Sequence, residues 1–186
     1  MGNIYIYYGT GGGKTANALG LALRSVGHRQ KVVIVQFMKW RTDIGEYKIR
    51  DMLKPYYEIY QFGSPGWIRV RQGDTEIRLG GIRLHVRNVE ESDKMLAKRA
   101  LEFAKKTMLD SQPNLLILDE ICLAAYLGLL TTQEVLDVLK QVPEKTDVVM
   151  TGRLVPKELI DRADFVNEII DIKSPERFVT KKGIQY

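Results

Sequence analysis

Cysteine occurs once in the 186 residues, as Cys122, and histidine twice, as His28 and His85. A single cysteine excludes an internal disulfide and any four-cysteine zinc site, and two histidines leave little for a histidine metal cluster. Apolar runs stop well short of the ~20 residues that a membrane-spanning helix requires, and the N-terminus lacks the pattern of a secretory signal. There is no internal repeat, no low-complexity stretch and no linker that would separate domains, so a single domain over residues 1–186 is expected. Together these absences predict a cytoplasmic globular protein.

What remains is ordinary in amount and unusual in placement. Hydrophobic residues at 45% and charged residues at 27% suit a soluble domain long enough for a sizeable core. The net charge of +5 is not gathered in one tail. It suits anionic ligands, nucleotide phosphates and nucleic acid alike.

The chain is organised around Ile4-Tyr5-Ile6-Tyr7-Tyr8-Gly9-Thr10-Gly11-Gly12-Gly13-Lys14-Thr15. A β-branched and aromatic strand runs into a glycine-rich loop, and Lys-Thr opens a helix. Glycines let successive backbone N–H groups converge on an anion, and the helix N-terminus adds a favourable dipole. Lys14 supplies a charge for phosphate oxygens and Thr15 a hydroxyl for Mg²⁺. The usual spacing G-x-x-x-x-G-K-[ST] would put glycine at position 8, where Tyr8 stands, so counted from Gly9 the loop is one residue short. The plain alternative is a turn that binds nothing.

Residues 15–26 are rich in Ala and Leu and predict a helix buried on much of its circumference, ending near Gly27. The run Lys31-Val32-Val33-Ile34-Val35-Gln36-Phe37 reads as a strand covered on both faces, which completes a βαβ unit and implies a parallel sheet. A short helix is expected from Gly45-Glu46 toward Leu53 and a strand over 56–62. The alternation around Gly80-Gly81 predicts a hairpin with Ile77, Leu79, Ile82 and Leu84 on a protected face. Residues 91–109 predict a helix with Leu96, Ala100, Phe103 and Ala104 on one face. Strands follow over 115–120, 147–151 and 165–172. Thr131 and Glu134 predict a capping box for a helix that buries Val135, Val138, Leu139 and Val142, and Pro156 predicts the start of another short helix.

Leu118-Asp119-Glu120 ends a buried strand in two carboxylates, and in parallel α/β sheets ligands sit at the carboxyl ends of strands. A carboxylate there can hold Mg²⁺ opposite Thr15, or the pair can cap a helix. Arg153, just past another strand end, is placed for a phosphate or for a surface salt bridge. Arg24 closes the first helix. Trp67 lies in the loop Gly63-Ser64-Pro65-Gly66-Trp67, as a ligand contact or a buried anchor. Cys122, among apolar neighbours, reads as core.

In order along the chain these residues resemble the P-loop ATP:corrinoid adenosyltransferases. The family's loop G-N-G-K-G-K-T-T lines up with Gly9-Thr10-Gly11-Gly12-Gly13-Lys14-Thr15-Ala16. Residues 21–31, with Arg24 and Gly27-His28, are similar to its A-x-R-A-x-G-H-G-K segment. Val35-Gln36-Phe37 with Lys39, and then Gly45-Glu46, are similar to V-V-Q-F-x-K and G-E. Leu118-Asp119-Glu120, Thr151-Gly152-Arg153, Ala163-Asp164 and Gly183-Ile184-Gln185-Tyr186 resemble L-D-E, T-G-R, A-D and G-I-D-Y. The likeness spans nearly the whole chain.

The resemblance implies an α/β, RecA-like P-loop fold: a mostly parallel central sheet flanked by helices, with a small β-hairpin insertion. It implies a transferase in which Co(I) of a reduced corrinoid attacks the 5′-carbon of ATP and expels triphosphate, the route to adenosylcobalamin. The catalytic residues implied are Lys14, Thr15, Glu120 and Arg153. The ligand-binding set is Gly9, Thr10, Gly11, Gly12, Gly13, Lys14, Thr15, Ala16, Arg24 and Trp67, with Thr15, Asp119 and Glu120 around Mg²⁺. An electron-donating flavoprotein reductase and a homodimer are the implied partners, with no membrane or nucleic-acid role. The chain departs from the family at Gly12 and Ala16, where a lysine and a second threonine are usual. Pro65-Gly66-Trp67 keeps the tryptophan of the family's G-F-T-W loop and lacks its phenylalanine, and the hairpin has no counterpart. On the residues alone a second class stays open, a P-loop ATPase or nucleotide-binding module acting on nucleic acid or a protein partner.

Overall fold

A computed structural model describes residues 1–69, 76–79, 82–175 and 181–184. The chain runs β1 (Ile4–Tyr8), α1 (Lys14–Gly27), β2 (Val32–Phe37), α2 (Gly45–Lys48) with a 3₁₀ turn (Ile49–Asp51), β3 (Tyr57–Phe62) and β4 (Trp67–Ile68). It continues through β5 (Glu76–Leu79), β6 (Ile82–Arg87), α3 (Glu91–Ser111), β7 (Leu115–Asp119), α4 (Ile121–Tyr126), α5 (Thr132–Leu139), β8 (Asp147–Gly152), α6 (Lys157–Arg162) and β9 (Phe165–Glu168). Six strands form one sheet in the order β3-β2-β7-β8-β1-β9, every pair parallel. The architecture is α/β, as a RecA-like P-loop fold requires.

The apolar strands are explained by the pleat. Val33 and Val35 of β2 face one way with Leu116 and Leu118 of β7, against α3, α4 and α5. Val32 and Ile34 face the other way with Leu115 and Ile117, against Ala18 and Ala22 of α1. Successive side chains alternate between two buried layers, so an unbroken apolar run is what such a strand needs.

The helix after the loop is less enclosed than its composition suggests. Only Ala18 and Ala22 are fully buried, and Leu23 is 62% exposed. Alanines at i and i+4 let α1 lie close on the sheet, but no further layer covers its outer face among the described residues. In α3 the buried stripe is Ala97, Ala100, Leu101, Ala104 and Met108, and Leu96 and Phe103 are half-buried at its edge. The capping box at Thr131 and Glu134 is formed in both directions, and Pro156 precedes α6 as expected.

One strand end differs from the sequence-based expectation, and one helix was not expected at all. Strand β9 stops at Glu168, because the next carbonyl, of Ile169, leaves the ladder to accept the Gly11 amide at 2.9 Å. Helix α4 follows β7 with no spacer, since Glu120 takes a left-handed φ of 66° and turns the chain in one residue. The hairpin is present as antiparallel β5 and β6, with Leu79 opposite Ile82. Its Gly80-Gly81 turn lies outside the described residues, and of Ile77, Leu79, Ile82 and Leu84, expected on a protected face, only the backbone is described.

Strand β6 of the hairpin pairs with β4, Trp67 opposite Val86, and an ion pair ties it to α3. Arg87, at the end of β6, grips Asp93 in the first turn of α3 through two parallel hydrogen bonds of 2.5 and 2.7 Å. These bonds outweigh the cost of burying the charges, so they raise the Arg87 pKa and lower that of Asp93.

Gly63 marks another close approach: a Cβ there would lie 2.3 Å from the Met38 carbonyl carbon. Gly20, inside α1, has nothing within 4 Å. Gly63→Ala is expected to destabilise the protein by roughly 2 kcal/mol or more, whereas Gly20→Ala stabilises it by about 0.5–1 kcal/mol. Urea unfolding of both variants checks this, and equal midpoints would remove the close-approach argument.

Candidate active site

The glycine loop is shaped as much by its neighbours as by its own residues. Gly9 and Gly13 have φ of 119° and 101°, where a side chain is strained. A Cβ at Gly9 would meet the Ile169 carbonyl oxygen at 2.3 Å, and one at Gly11 the Ile170 carbonyl carbon at 2.7 Å. Residues 169–171 therefore seal this flank of the loop. Gly12 is different, with open space where its Cβ would be. Its amide donates to Asp171 Oδ1 at 3.1 Å. Lys14 folds back to donate from Nζ to the Gly11 carbonyl at 2.5 Å. Burial lowers the Lys14 pKa and Arg153 adds to this, against the opposing pull of Glu120, Asp171 and Asp119.

Asp119, at the end of β7, is fully buried and joins four elements. Its Oδ1 accepts hydroxyl hydrogens from Thr15 at 2.8 Å and Thr151 at 2.6 Å. Its Oδ2 accepts from Gln36 Nε2 at 3.0 Å and from the Lys39 ammonium at 2.6 Å. Burial works against its charge, but Lys39 first and the two hydroxyls next outweigh it, so the Asp119 carboxyl stays below the usual carboxylate range. Burial also works most strongly against the Lys39 charge, and Asp119, Glu120 and Glu46 overcome it, so the Lys39 pKa is raised. Gln36 is held in turn by Gln61, whose amide donates to its Oε1 and to the Arg41 carbonyl, both at 2.9 Å.

Glu120 sits next to this hub under opposite conditions. Burial and the Asp119 charge push its pKa up, with Lys39, Lys14 and Arg153 pulling down. Its Oε2 is buried with no hydrogen-bond partner. Thr15 donates its one hydroxyl hydrogen to Asp119, so the lone pairs of its oxygen are free. A hard, oxygen-seeking cation suits these two oxygens, and Mg²⁺ that keeps several waters needs few protein ligands. Among the described residues no group of three or more His, Cys, Asp and Glu is gathered, so phosphate and water would complete its shell.

Beside Thr15 the structure opens. A cavity of about 480 Å³ has a polar end of Thr15, Lys39 and Glu46, walls of Leu19 and Tyr57, and Ile184 of the tail at its rim. Ala16 also lines it. The loop is thus sealed toward β9 and open toward β2.

The structure brings Gly9, Gly11, Gly12, Gly13, Lys14, Thr15, Asp119 and Glu120 together. Arg153 is exposed at the end of β8, close enough for its charge to act on Lys14 and Glu120. Thr10 is exposed in the loop. Arg24 lies in the last turn of α1, ten residues and about 15 Å along the helix from Lys14, and is not brought to the cradle. Trp67 stands apart from the loop, in β4, edge-to-face with Trp40 at 5.8 Å. Gln36, Lys39 and Thr151 mattered in the sequence only as letters of matching segments, and Trp40 and Gln61 not at all. A glutamine inside a buried apolar strand was a usable signal for the first of these.

A phosphate loop whose threonine is bonded to a buried strand-end aspartate, on a parallel sheet, defines a P-loop nucleotide-binding protein. Within that class the family described as ATP:corrinoid adenosyltransferase BtuR/CobO/CobP matches residues 1–186. The chain is 31% identical over 172 residues to the corrinoid adenosyltransferase of Escherichia coli K12, covering 92% of this chain and 78% of that one. It is 30% identical over 189 residues to that of Sinorhizobium sp., covering 100% and 80%. The Salmonella typhimurium LT2 enzyme is 28% identical over 172 residues, covering 92% and 78%. The chain belongs to the ATP:corrinoid adenosyltransferase family and is a transferase.

The two neighbouring carboxylates predict opposite pH behaviour. Asp119, with its folded pKa lowered, contributes stability that is present above the unfolded value of about 3.9 and lost as pH falls through the folded value. Glu120, with its folded pKa raised, costs stability as pH rises from the unfolded value of about 4.3 toward the folded one. Glu120→Gln is therefore expected to raise stability at pH 7 without nucleotide, on the order of 1 kcal/mol, with the difference shrinking by pH 4. Urea titrations at both pH values check it, and a variant no more stable than wild type at pH 7 refutes the strained carboxylate. Lys39→Met, which leaves the buried Asp119 charge without its ammonium, should lose about 3 kcal/mol in the same assay.

Proposed function

We propose that this protein transfers the 5′-deoxyadenosyl group of ATP to Co(I) of a reduced corrinoid and releases triphosphate. The observation that carries the reading is the one-sided loop. With residues 169–171 packed on Gly9 and Gly11, a nucleoside attached to phosphates in the cradle has room on the Thr15 and Lys39 flank, in the 480 Å³ cavity. This supports a triphosphate laid along the loop so that the 5′-carbon faces away from β9, toward the corrinoid.

The nucleophile in this reaction is the substrate's cobalt, so the protein's task is positioning and charge neutralisation. Cys122 fits that division: it is buried, and burial followed by the Glu120 charge pushes its thiol pKa far up, away from nucleophilic use. Lys14, released from the Gly11 carbonyl, takes the leaving triphosphate, and Arg153 adds a second positive charge at the strand end. Thr15, Glu120 and Asp119 would hold Mg²⁺, which neutralises charge on the leaving group when bound. Asp119 serves mainly by fixing Thr15, Thr151 and Lys39. Trp67 belongs to the corrinoid side. Because Co(I) has to be generated from a more oxidised corrinoid, an electron-donating flavoprotein is the partner in this reading. A homodimer and a cytoplasmic setting complete it. Among the described residues no helix is long and apolar enough to cross a membrane.

The test is to mix protein, MgATP and chemically reduced cob(I)alamin, recording the cobalt–carbon spectrum and triphosphate in parallel. The expected result is a light-sensitive alkylcobalt spectrum with stoichiometric triphosphate. ADP in place of triphosphate, or ATP binding with no such spectrum, would overturn the reading. Lys14→Ala should reduce kcat/KM for ATP on the order of 100-fold, since a charge-assisted phosphate contact is lost. Unchanged ATP use in the folded variant would remove Lys14 from the cradle.

A further inference from the structure

We propose that Trp40 is a corrinoid-binding residue that forms, with Trp67, an aromatic corner for that ligand. This rests on the transferase reading above. Position 40 lies next to the site by chain connectivity. Lys39, its immediate neighbour, is bonded through Nζ to Asp119 at 2.6 Å. Met38, the residue before, has a left-handed φ of 59°, so the chain turns sharply where β2 ends.

Trp40 is held in place from several directions. The Lys39 side chain anchors one side of it to Asp119, and the Arg41 carbonyl, on the other side, accepts from Gln61 at 2.9 Å. The 63–66 loop that leads to Trp67 lies directly on the same turn: the Met38 amide donates to the Phe62 carbonyl at 2.9 Å, and Gly63 admits no Cβ against the Met38 backbone. Gly66, with φ of 113°, passes over Arg87, whose guanidinium is fixed on Asp93. The backbones carrying the two tryptophans are therefore clamped to one another and to the sheet.

The rings themselves meet at 73° with centroids 5.8 Å apart. Neither belongs to the two buried layers on the sheet, and both are only partly buried. A pair of large aromatic rings fixed by the backbone, outside the core layers and only partly buried, is suited to a broad, stiff, apolar ligand. In the family reaction the corrin macrocycle is that ligand. Trp40 also supplies a second aromatic beside Trp67, in a loop that lacks the phenylalanine of the family pattern.

The chain has two tryptophans, which makes the test direct. Protein labelled with 5-fluorotryptophan gives one ¹⁹F line per tryptophan, assigned with Trp67→Phe. Saturation with aquacobalamin in the presence of MgATP should shift both lines, whereas MgATP alone leaves the Trp40 line in place. In steady-state assays Trp40→Leu should raise the corrinoid KM about tenfold with the ATP KM unchanged, and Trp40→Phe should restore most of the affinity. A Trp40 line that stays fixed while the Trp67 line moves overturns the proposal, as does an equal rise in both KM values. If wild-type protein forms no cobalt–carbon bond and neither line moves, the transferase reading fails and this inference falls with it. If wild type forms the bond and only the Trp40 readouts are silent, this inference alone fails.

Discussion

A fully buried carboxylate with four donors around it sets the geometry of this protein. Asp119 could not remain charged at the end of β7 without compensation, because desolvation of an isolated carboxylate is prohibitive in a protein interior. The compensation comes from Thr15 after the loop, Gln36 and Lys39 at β2, and Thr151 on β8. These contacts tie separate parts of the sheet's carboxyl edge to the same point. Parallel pairing alone aligns the strands in register but leaves their carboxyl ends free to splay. The hub removes that freedom where the chemistry needs it removed.

The loop shows the same logic applied to backbone donors. Its Gly11 and Gly12 amides bond within the chain, to the Ile169 carbonyl and the Asp171 carboxylate, and the Lys14 ammonium bonds to the Gly11 carbonyl. In the proposed reaction phosphate oxygens would replace the Asp171 and Gly11 oxygens as partners of Gly12 and Lys14. The exchange is one charge-assisted contact for another, so it reduces net affinity while keeping the cradle formed. Gly12 has open space where a side chain would start, and it is also where the family pattern carries a lysine. Its bareness is what lets Asp171 reach the amide.

The legible parts of the sequence were those where local chemistry and global fold agree. Glycines between a strand and Lys-Thr, a capping box at Thr131, and two apolar strands ending at polar residues each have one economical structure. The misreadings arose where tertiary context decides. Ala and Leu in α1 look the same whether one face or all faces are covered, and only the thinness of that side of the sheet leaves Leu23 exposed. The expected strand over 165–172 is cut short because the Ile169 carbonyl is taken by the loop, a contact between opposite ends of the chain. Helix α4 has no cap or spacer in sequence, since its start is a positive φ at Glu120. The Trp40–Trp67 pair joins two loops and follows no periodicity.

The two halves of the site therefore tolerate change differently. On the nucleotide side, Thr15, Gln36, Lys39 and Thr151 converge on the buried Asp119, and removing Lys39 leaves that buried charge without its counter-ion. Substitution there is penalised by folding before it is penalised by catalysis. On the aromatic side, Trp40 and Trp67 lie outside both core layers, on loops whose backbones are clamped but whose rings are not sealed in. A ring there can be exchanged or moved to a neighbouring position at little cost to the sheet. The L-D-E and T-G-R strand ends are thus kept together with the loop's Lys-Thr, and the departures from the pattern fall outside that hub, at the exposed Gly12 and Ala16 of the loop and in the segment that carries Trp67.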